Sequence, residues 1–192
     1  MKLNKDYWEN RYQTNETGWD TGTITTPLKE YIDQLENKSL KILIPGAGNS
    51  YEFSYLIKKG FTNVHVIDIA QNPIQNLLTK HPNYKSQILN GDFFELDDTF
   101  DLIIEQTFFC ALDPNLRDQY VKKVHSILAP NGKITGLLFD FPLSNEGPPF
   151  GGSKNEYTER FEPLFKLKKM ERAYNSIKPR ANKELFFIFE KK

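Results

Sequence analysis

The chain has 192 residues, with 25 basic and 25 acidic side chains that cancel to a formal net charge of zero at pH 7. This length suits one domain (residues 1–192) with a substantial core, and zero net charge gives no general attraction to nucleic acid or anionic membranes. The N-terminus lacks the apolar core of a secretory signal, no apolar run could span a membrane, and the single Cys110 cannot form an internal disulfide. We therefore expect a cytoplasmic protein without nucleic-acid or membrane partners. A monomer is the default expectation.

The predicted elements begin with an aromatic N-terminal segment. Residues 5–12 can form a short amphipathic helix, and residues 14–27 are rich in turn-forming side chains. Apolar residues at helical spacing predict a second helix over 28–36. This helix leads directly into the first predicted strand.

An apolar run from Lys41 to Ile44 ends at Pro45 and is followed by a Gly-x-Gly turn formed by Gly46 and Gly48. Aliphatic residues bounded by turn residues predict a buried strand, and glycine allows a ligand to approach the main chain closely. Ser50 stands where it could cap the next helix, whose free N–H groups favour polar or anionic groups. Strand, turn and helix together predict the first βα unit of a nucleotide-type cofactor fold.

Strands and helices alternate along the rest of the chain. Further helices are predicted over 51–59, 73–80, 115–128 and 153–162, and further strands over 64–69, 87–89, 100–105, 133–139, 165–174 and 184–190. Such alternation predicts a parallel sheet, and two final strands without a helix between them predict an antiparallel hairpin. We therefore expect an α/β fold: a Rossmann-like, doubly wound, seven-stranded and mostly parallel sheet with an antiparallel C-terminal edge hairpin and helices on both faces.

Acidic residues recur at or just after the carboxyl ends of four predicted strands: Asp68, Asp92, Glu105 and Asp140. In a parallel sheet these ends share one edge, so the four side chains should surround one crevice. Asp68 lies 22 positions after Gly46, near the ~20-residue spacing at which an acid binds a ribose diol. A strand-end cap is the alternative for Asp68, and an ordinary Gly-Asp turn is the alternative for Asp92. Glu105 follows three aliphatic residues, where an unpaired charge is costly, so a partner or ligand is expected.

The glycine turn lacks a third glycine, because Tyr51 occupies the position that would complete Gly-x-Gly-x-x-Gly. That glycine allows close helix–strand packing in dinucleotide sites, so its absence favours a smaller nucleoside without a pyrophosphate. S-adenosylmethionine is such a ligand, and its cationic sulfonium suits a crevice of carboxylates and aromatic faces. An NAD-dependent dehydrogenase is the alternative, but the sequence has no clear catalytic His.

Short motifs occur in one order over nearly the whole chain. The most specific is Phe108-Phe109-Cys110-Ala111-Leu112-Asp113-Pro114, with Arg117 and Tyr120 following it. The others are Trp8-x-x-x-Tyr12, Gly18-Trp19-Asp20-x-Gly22, Ile44-Pro45-Gly46-Ala47-Gly48, Val66-Ile67-Asp68-Ile69, Gly91-Asp92-Phe93-Phe94, Phe100-Asp101-Leu102-Ile103, Leu128-x-Pro130-x-Gly132 and Gly147-Pro148-Pro149-Phe150. In this order they resemble the thiopurine S-methyltransferase superfamily, and within it the plant-type halide/thiol methyltransferases.

The resemblance implies an enzyme that moves a methyl group from S-adenosylmethionine to a small soft nucleophile (a thiol, hydrosulfide or halide) by in-line displacement and leaves S-adenosylhomocysteine. It implies a flexible lid over residues 1–27, a ribose site at Asp68, an adenine site at Asp92 and Phe93, and an acid near the cofactor's amino acid end at Glu105. The cofactor-binding residues it implies are Trp8, Tyr12, Trp19, Gly46, Gly48, Asp68, Asp92, Phe93 and Glu105. No metal site is expected.

The resemblance places Phe109, Cys110 and Arg117 at the border of the acceptor pocket. Phe139 stands where the family has a tyrosine, so a hydroxyl near the acceptor is lost. Asp140 is the candidate general base if the acceptor arrives protonated, and Arg117 could attract an anionic acceptor. A small buried hydrophobe is the alternative for Cys110, and a surface ion pair is the alternative for Arg117. A non-catalytic cofactor-binding protein, or a methyltransferase for thiopurines or selenium and tellurium oxyanions, remains an alternative function.

Overall fold

A computed structural model of the chain describes residues 2–144 and 146–192. Its strands are β1 (Ile42–Pro45), β2 (Val64–Asp68), β3 (Ile88–Asn90), β4 (Phe100–Gln106), β5 (Leu128–Phe139), β6 (Phe165–Arg172) and β7 (Glu184–Lys191). Its α-helices are α1 (Lys5–Gln13), α2 (Thr26–Asp33), α3 (Tyr51–Lys58), α4 (Gln71–Lys80), α5 (Arg117–Ile127) and α6 (Lys154–Phe161).

The seven strands form one sheet in the order β3-β2-β1-β4-β5-β7-β6. The first five are parallel, and β7 pairs antiparallel with both β5 and β6. The Rossmann-like fold with its antiparallel C-terminal strands, predicted from the alternation of elements, is therefore confirmed. The carboxyl ends of the five parallel strands lie along one edge of the sheet.

The element bounds differ from the predicted ones most clearly around α5. A 3-10 turn over Pro114–Leu116 precedes the helix, and the Asp113 side chain caps this turn by accepting a hydrogen bond from the Asn115 N–H. Strand β5 begins at Leu128, five residues before the predicted start, because Leu128 pairs with Phe100 before the register shifts. The Pro130-Asn131-Gly132 segment is thus an irregularity inside a strand, and it does not begin one.

Large apolar side chains cover both faces of the sheet. One buried cluster includes Phe100, Tyr120 and Phe187, and the other includes Leu28 and Phe53. Burying one such side chain stabilises the fold by about 1.5–3 kcal/mol relative to leaving it exposed. The two clusters hold the central strands rigidly, so the loops at their carboxyl ends have a fixed base. No helix of the described residues is long and apolar enough to cross a bilayer.

Candidate active site

A cavity of about 420 Å³ lies at the carboxyl edge of the parallel strands. Residues at or after the ends of β1 to β5 form its base, and the N-terminal segment and the 148–149 prolines form its walls. The site residues predicted from the sequence that line it are Trp8, Tyr12, Trp19, Gly46, Asp68, Asp92, Phe93, Cys110 and Phe139. The fold thus brings together most of the cofactor residues and two of the predicted acceptor residues.

Asp68 ends β2 and places its carboxylate in the cavity wall. Its Oδ1 accepts a hydrogen bond from the Ala70 N–H (2.8 Å), and its Oδ2 accepts one from the Gly48 N–H (3.3 Å). Burial raises the pKa of Asp68 to about 6, and the backbone donors oppose this rise. Because an ionised carboxylate offers about four acceptor positions, this group can also accept hydrogen bonds from vicinal ribose hydroxyls.

The glycine turn brings the backbone to the cavity surface at Gly46. Gly46 has φ +67, and a Cβ at this position would lie 2.6 Å from Cδ2 of Phe108. This position therefore requires glycine for both its backbone angle and its close packing. The Gly46 N–H donates to the Ile67 carbonyl (2.9 Å), which joins the end of β1 to the end of β2.

A small cleft of about 50 Å³, lined by Gly48 and Ser50, adjoins the cavity at this turn. Ser50 was predicted to cap α3, and this prediction is wrong: its φ of 41 is left-handed and its side chain makes no capping bond. The buried Ser50 Oγ has no hydrogen-bond partner in the described part of the chain. An unpartnered hydroxyl beside an exposed backbone turn and a ribose-type acid fits a nucleoside that carries a polar tail, as S-adenosylmethionine does.

Asp92 and Phe93 follow β3 and line the cavity beside Asp68. Asp92 Oδ1 accepts a hydrogen bond from the Phe94 N–H (2.9 Å) and caps the 3-10 turn Phe93–Glu95. The Phe93 ring is buried and packs edge-on against Phe108, with 5.3 Å between ring centroids. The second Asp92 oxygen has no protein partner among the described residues, so a ligand amine can reach it.

Three aromatic side chains of the N-terminal segment line one wall of the cavity. Trp19 packs edge-on against Trp8 and against Tyr12, with ring centroids 5.6 and 5.5 Å apart. Tyr12 is half-buried, and partial burial together with the Asp68 charge raises its pKa above the usual range. This wall is a preformed apolar surface facing the predicted cofactor position.

Polar contacts tether the same segment to the rest of the domain. Glu9 accepts hydrogen bonds from the N–H groups of Gln71 (2.7 Å) and Asn72 (3.1 Å), so it serves as a cap for α4 from another helix. Asp20 accepts a hydrogen bond from the Tyr51 hydroxyl (2.8 Å) at the start of α3. These contacts hold the segment in place over the cavity; its opening and closing as a lid stays a prediction.

Glu105 does not line the cavity in the described structure. Its Oε1 accepts hydrogen bonds from the N–H groups of Phe108 (2.8 Å) and Phe109 (2.9 Å), and its Oε2 accepts one from the Tyr120 hydroxyl (2.6 Å). Burial raises the pKa of the Glu105 carboxyl, and these three donors oppose the rise. The partner expected for this buried charge is therefore Tyr120 with the loop backbone, and Glu105 positions the loop that forms the cavity wall.

Arg117 and Phe109 also lie behind the cavity wall instead of on it. Arg117 is completely buried; its Nη1 donates to Glu156 Oε1 (2.8 Å) and its Nη2 donates to the Gly151 carbonyl (2.8 Å). Its guanidinium stacks over the Phe109 ring at 4.7 Å. The predicted contact of Arg117 with the acceptor and the alternative of a surface ion pair are therefore both wrong. This buried arginine connects α5 to α6 and to the 150–151 loop.

Asp140 faces the outer edge of the sheet. Its Oδ2 accepts a hydrogen bond from the Arg172 Nη2, and Asp140 is not among the described residues that line the cavity. The predicted general base is therefore engaged in a partly exposed ion pair. Phe139 lines the cavity and Asp140 does not, because successive side chains of an extended chain point to opposite sides.

The cavity is also lined by Cys110, Phe139, Pro148 and Pro149, which we expect at its acceptor end, and by two cations, Arg180 and Arg11, the second of which lies 5.9 Å from the centre of the Trp19 ring. Burial is the main reason that the pKa of the Cys110 thiol lies above its usual range, so the thiol stays protonated and forms a small, soft patch of wall. The Phe139 ring packs against Phe141, with 5.1 Å between centroids. Sequence reasoning missed Arg180, because a basic residue in a Lys-Pro-Arg turn looks like an ordinary solvated charge. No cluster of three or more His, Cys, Asp or Glu suited to a metal ion occurs in residues 2–144 and 146–192.

The family model for thiopurine S-methyltransferase (TPMT) matches residues 3–191 of the chain. A probable thiol methyltransferase 2 of Arabidopsis thaliana is 30% identical over 165 residues, which are 82% of this chain and 72% of the relative. A thiocyanate methyltransferase 1 of Brassica oleracea is 26% identical over 184 residues, covering 92% of this chain and 81% of the relative.

Among solved structures, the fold is similar to a Burkholderia thailandensis 1,6-didemethyltoxoflavin-N1-methyltransferase with bound 1,6-didemethyltoxoflavin and S-adenosylhomocysteine. The TM-score is 0.78 at 17% identity, and the match covers 98% of this chain and 87% of the other. At this identity the likeness concerns the fold alone.

Proposed function

We propose, from the premise that the chain belongs to the thiopurine S-methyltransferase family and is an S-adenosylmethionine-dependent methyltransferase, that its acceptor is a small soft nucleophile: a thiol, hydrosulfide or halide. The observation that carries this proposal is the make-up of the acceptor end. Cys110, Phe139 and two prolines line the cavity on the side of β4 and β5, and the carboxylates among the described lining residues are Asp68 and Asp92, which lie at or just after the ends of β2 and β3. A thiolate or halide already carries its charge, whereas a hydroxyl or amine acceptor would need a base to remove a proton.

S-adenosylmethionine, when bound, supplies a methyl group on a cationic sulfonium. Asp68 would hold the ribose hydroxyls, and Asp92 and Phe93 would hold the adenine. The backbone at Gly46 and Gly48 would lie against the amino acid portion. The aromatic wall of Trp8, Tyr12 and Trp19 would exclude water and keep the acceptor in line with the methyl group, which can supply much of the rate.

The names of the relatives support the same acceptor class, since thiol and thiocyanate methyltransferases are among the proteins this chain is similar to. A non-catalytic cofactor-binding protein, the alternative raised from the sequence, is set aside because the chain belongs to a methyltransferase family and its relatives are methyltransferases. A monomeric, cytoplasmic enzyme with no nucleic-acid or membrane partner stays a prediction from the sequence.

The test is formation of methylated product from labelled S-adenosylmethionine with iodide, hydrosulfide, thiocyanate and small thiols, each offered separately. We expect turnover of at least one. Phe139→Tyr is the matched variant, because it restores one hydroxyl at the acceptor end without changing the ring. Absence of turnover for every soft nucleophile would contradict the proposal, and turnover confined to thiopurines or to selenium or tellurium oxyanions would replace it.

A further inference from the structure

Arg180 is a buried cation at the acceptor end of the cavity. It ends the 3-10 turn Lys178–Arg180 in the connection between β6 and β7, and only 8% of its surface is exposed. Its guanidinium carbon lies 5.7 Å from the centre of the Phe139 ring, and both residues line the cavity. A buried arginine is costly unless its charge is compensated, so its partners decide what it can do.

The protein compensates this guanidinium only partly. Its Nη2 donates to the Trp19 carbonyl (2.8 Å), and its Nη1 donates to Glu184 Oε1 at 3.4 Å, which is long for a charge-assisted hydrogen bond. A guanidinium has five N–H donors, and these are the two with partners among the described residues. The second oxygen of Glu184 is buried and has no hydrogen-bond partner there either. The pair is therefore a single long contact instead of a bidentate salt bridge.

The charged groups around Arg180 are the carboxyls of Glu184 and Glu52. Burial raises the pKa of both carboxyls; the nearby Ser176 hydroxyl and then Arg180 oppose the rise at Glu184, and the Glu52 backbone N–H and then Arg180 oppose it at Glu52. Burial and the Glu105 charge raise the pKa of the Cys110 thiol, and the guanidinium groups of Arg180 and Arg117 oppose this rise. Asp68 and Asp92 belong to the ends of β2 and β3, at the other end of the cavity. An anion beside Cys110 would thus meet a cation with spare donors.

We propose that Arg180 binds the methyl acceptor as an anion and determines the preference of the enzyme for anionic over neutral nucleophiles. The acceptor would be a thiolate, hydrosulfide or halide held between the guanidinium, Cys110 and Phe139. The bond from Arg180 to the Trp19 carbonyl links this acceptor site to the aromatic wall. This inference rests on the proposed function, because it assigns the acceptor class to a residue of the same site.

The charge balance of the reaction specifies which kinetic constant depends on Arg180. The acceptor's lone pair forms the bond to the methyl carbon, and the pair of the broken carbon–sulfur bond stays on sulfur, so the negative and the positive charge both disappear. A fixed cation therefore stabilises the bound anion more than the transition state, in which that charge is already reduced. Arg180 should lower the KM for an anionic acceptor without raising kcat, a division that a purely structural role would not produce.

The experiment compares Arg180→Gln and Arg180→Lys with the wild type in two measurements. The first is calorimetric binding of thiocyanate to protein saturated with S-adenosylhomocysteine, which requires no turnover. The second is steady-state methylation of iodide and of thiourea, a neutral soft nucleophile. We expect Arg180→Gln to weaken thiocyanate binding and raise the iodide KM roughly ten- to a hundredfold, with kcat for iodide not reduced and thiourea constants unchanged. Arg180→Lys should keep most of the anion affinity.

Two further variants control for charge and folding. Glu184→Gln removes the weakly paired counter-charge, so it should tighten thiocyanate binding, and this result tests the proposal even if Arg180→Gln fails to fold. Lys166→Gln removes one charge from the exposed pair with Glu190 and should change nothing. The inference is overturned if anionic and neutral acceptors respond equally to Arg180→Gln, or if Glu184→Gln does not tighten binding.

The outcomes also separate this inference from the proposed function. If thiocyanate binding depends on Arg180 but no soft nucleophile is methylated, the proposed function is wrong and the anion site at Arg180 is supported. If iodide or thiols are methylated with a KM that does not depend on Arg180, the proposed function is supported and the role of Arg180 is wrong.

Discussion

The proposed cofactor end and the proposed acceptor end of the cavity are built in different ways. At the cofactor end, Asp68 and Asp92 stand at or just after the ends of neighbouring parallel strands, so their positions follow from the order of the elements. At the acceptor end, Cys110, Phe139 and Arg180 come from three loops or strand ends that are far apart in sequence. Among the described lining residues, the first group includes both carboxylates, and the second combines apolar side chains and a thiol with the cation Arg180. A polar site assembled from strand ends is easier to predict than a pocket assembled from loops.

Two arginines show what this difference means. Arg117 belongs to the most specific sequence motif, yet it is completely buried and tied to Glu156 and the 150–151 loop. Arg180 lies in none of the sequence motifs, yet it lines the cavity beside Phe139. The motif therefore marks a residue that supports the pocket, and the residue that faces the pocket comes from an unremarkable turn.

The largest expected effect is a loss of stability when Arg117 is replaced. It distinguishes an arginine that supports the acceptor end from one that contacts the acceptor. Arg117→Met should lower the free energy of unfolding by about 3 kcal/mol, because it removes the donor to the Gly151 carbonyl and one of the two arginine partners of Glu156, which keeps Arg160. Urea unfolding measures this loss, and Lys168→Met, which removes an exposed cation near Glu190, is the control with little expected change. Unchanged stability together with a raised acceptor KM would return Arg117 to the acceptor site.

The second prediction concerns the cofactor end. Asp68→Ala should weaken S-adenosylhomocysteine binding roughly a hundredfold, because it removes a charged acceptor for the ribose and the support of the Gly48 N–H. Isothermal titration calorimetry measures the affinity, and Asp118→Ala, whose side chain is 71% exposed, is the matched control. A loss smaller than about threefold would mean that Asp68 serves only as a strand-end cap.

The third prediction concerns how the stability of the ligand-free protein depends on pH through the Asp68 carboxyl. Its folded pKa of about 6 lies above the ordinary value of 3.8, so the native state binds the proton more tightly than the unfolded state does. The contribution of Asp68 to the free energy of unfolding therefore falls as the pH rises towards 6, and it stays low above pH 6. Relative to Asp68→Asn, which cannot titrate, the wild type should be about 1.4 kcal/mol less stable at pH 8 than at pH 5. Urea unfolding of both proteins at pH 5, 6, 7 and 8 tests this; a difference independent of pH would contradict a raised pKa.

The smallest expected effect concerns Asp140. Because its carboxylate pairs with Arg172 and lies outside the cavity lining, Asp140→Asn should change kcat/KM for a soft acceptor by less than about twofold. Loss of a general base would instead cost about a hundredfold or more. Initial rates with iodide and a small thiol distinguish these outcomes, and a hundredfold loss for the thiol alone would restore Asp140 as its base.

The sequence by itself determined the architecture and placed most residues of the proposed cofactor end at the same edge of the sheet. Strand and helix periods are local properties, and each turn lies next to the strand that it ends, so the Rossmann-like sheet and the positions of Asp68, Asp92 and Gly46 followed from short segments. The ordered motifs then indicated the family, which the match over residues 3–191 confirms. Some local details were nevertheless missed, such as the left-handed backbone of Ser50 and the early start of β5.

Only the tertiary structure decided which charged side chains face the cavity. Glu105 turns inward to Tyr120, and Asp140 turns outward to Arg172, although both were predicted to surround the same crevice. Arg180 reaches the acceptor end and binds the carbonyl of Trp19, 161 positions earlier in the chain. The free energy of a buried charge depends on the partners that packing supplies from distant segments, and a strand or turn pattern contains no information about those partners.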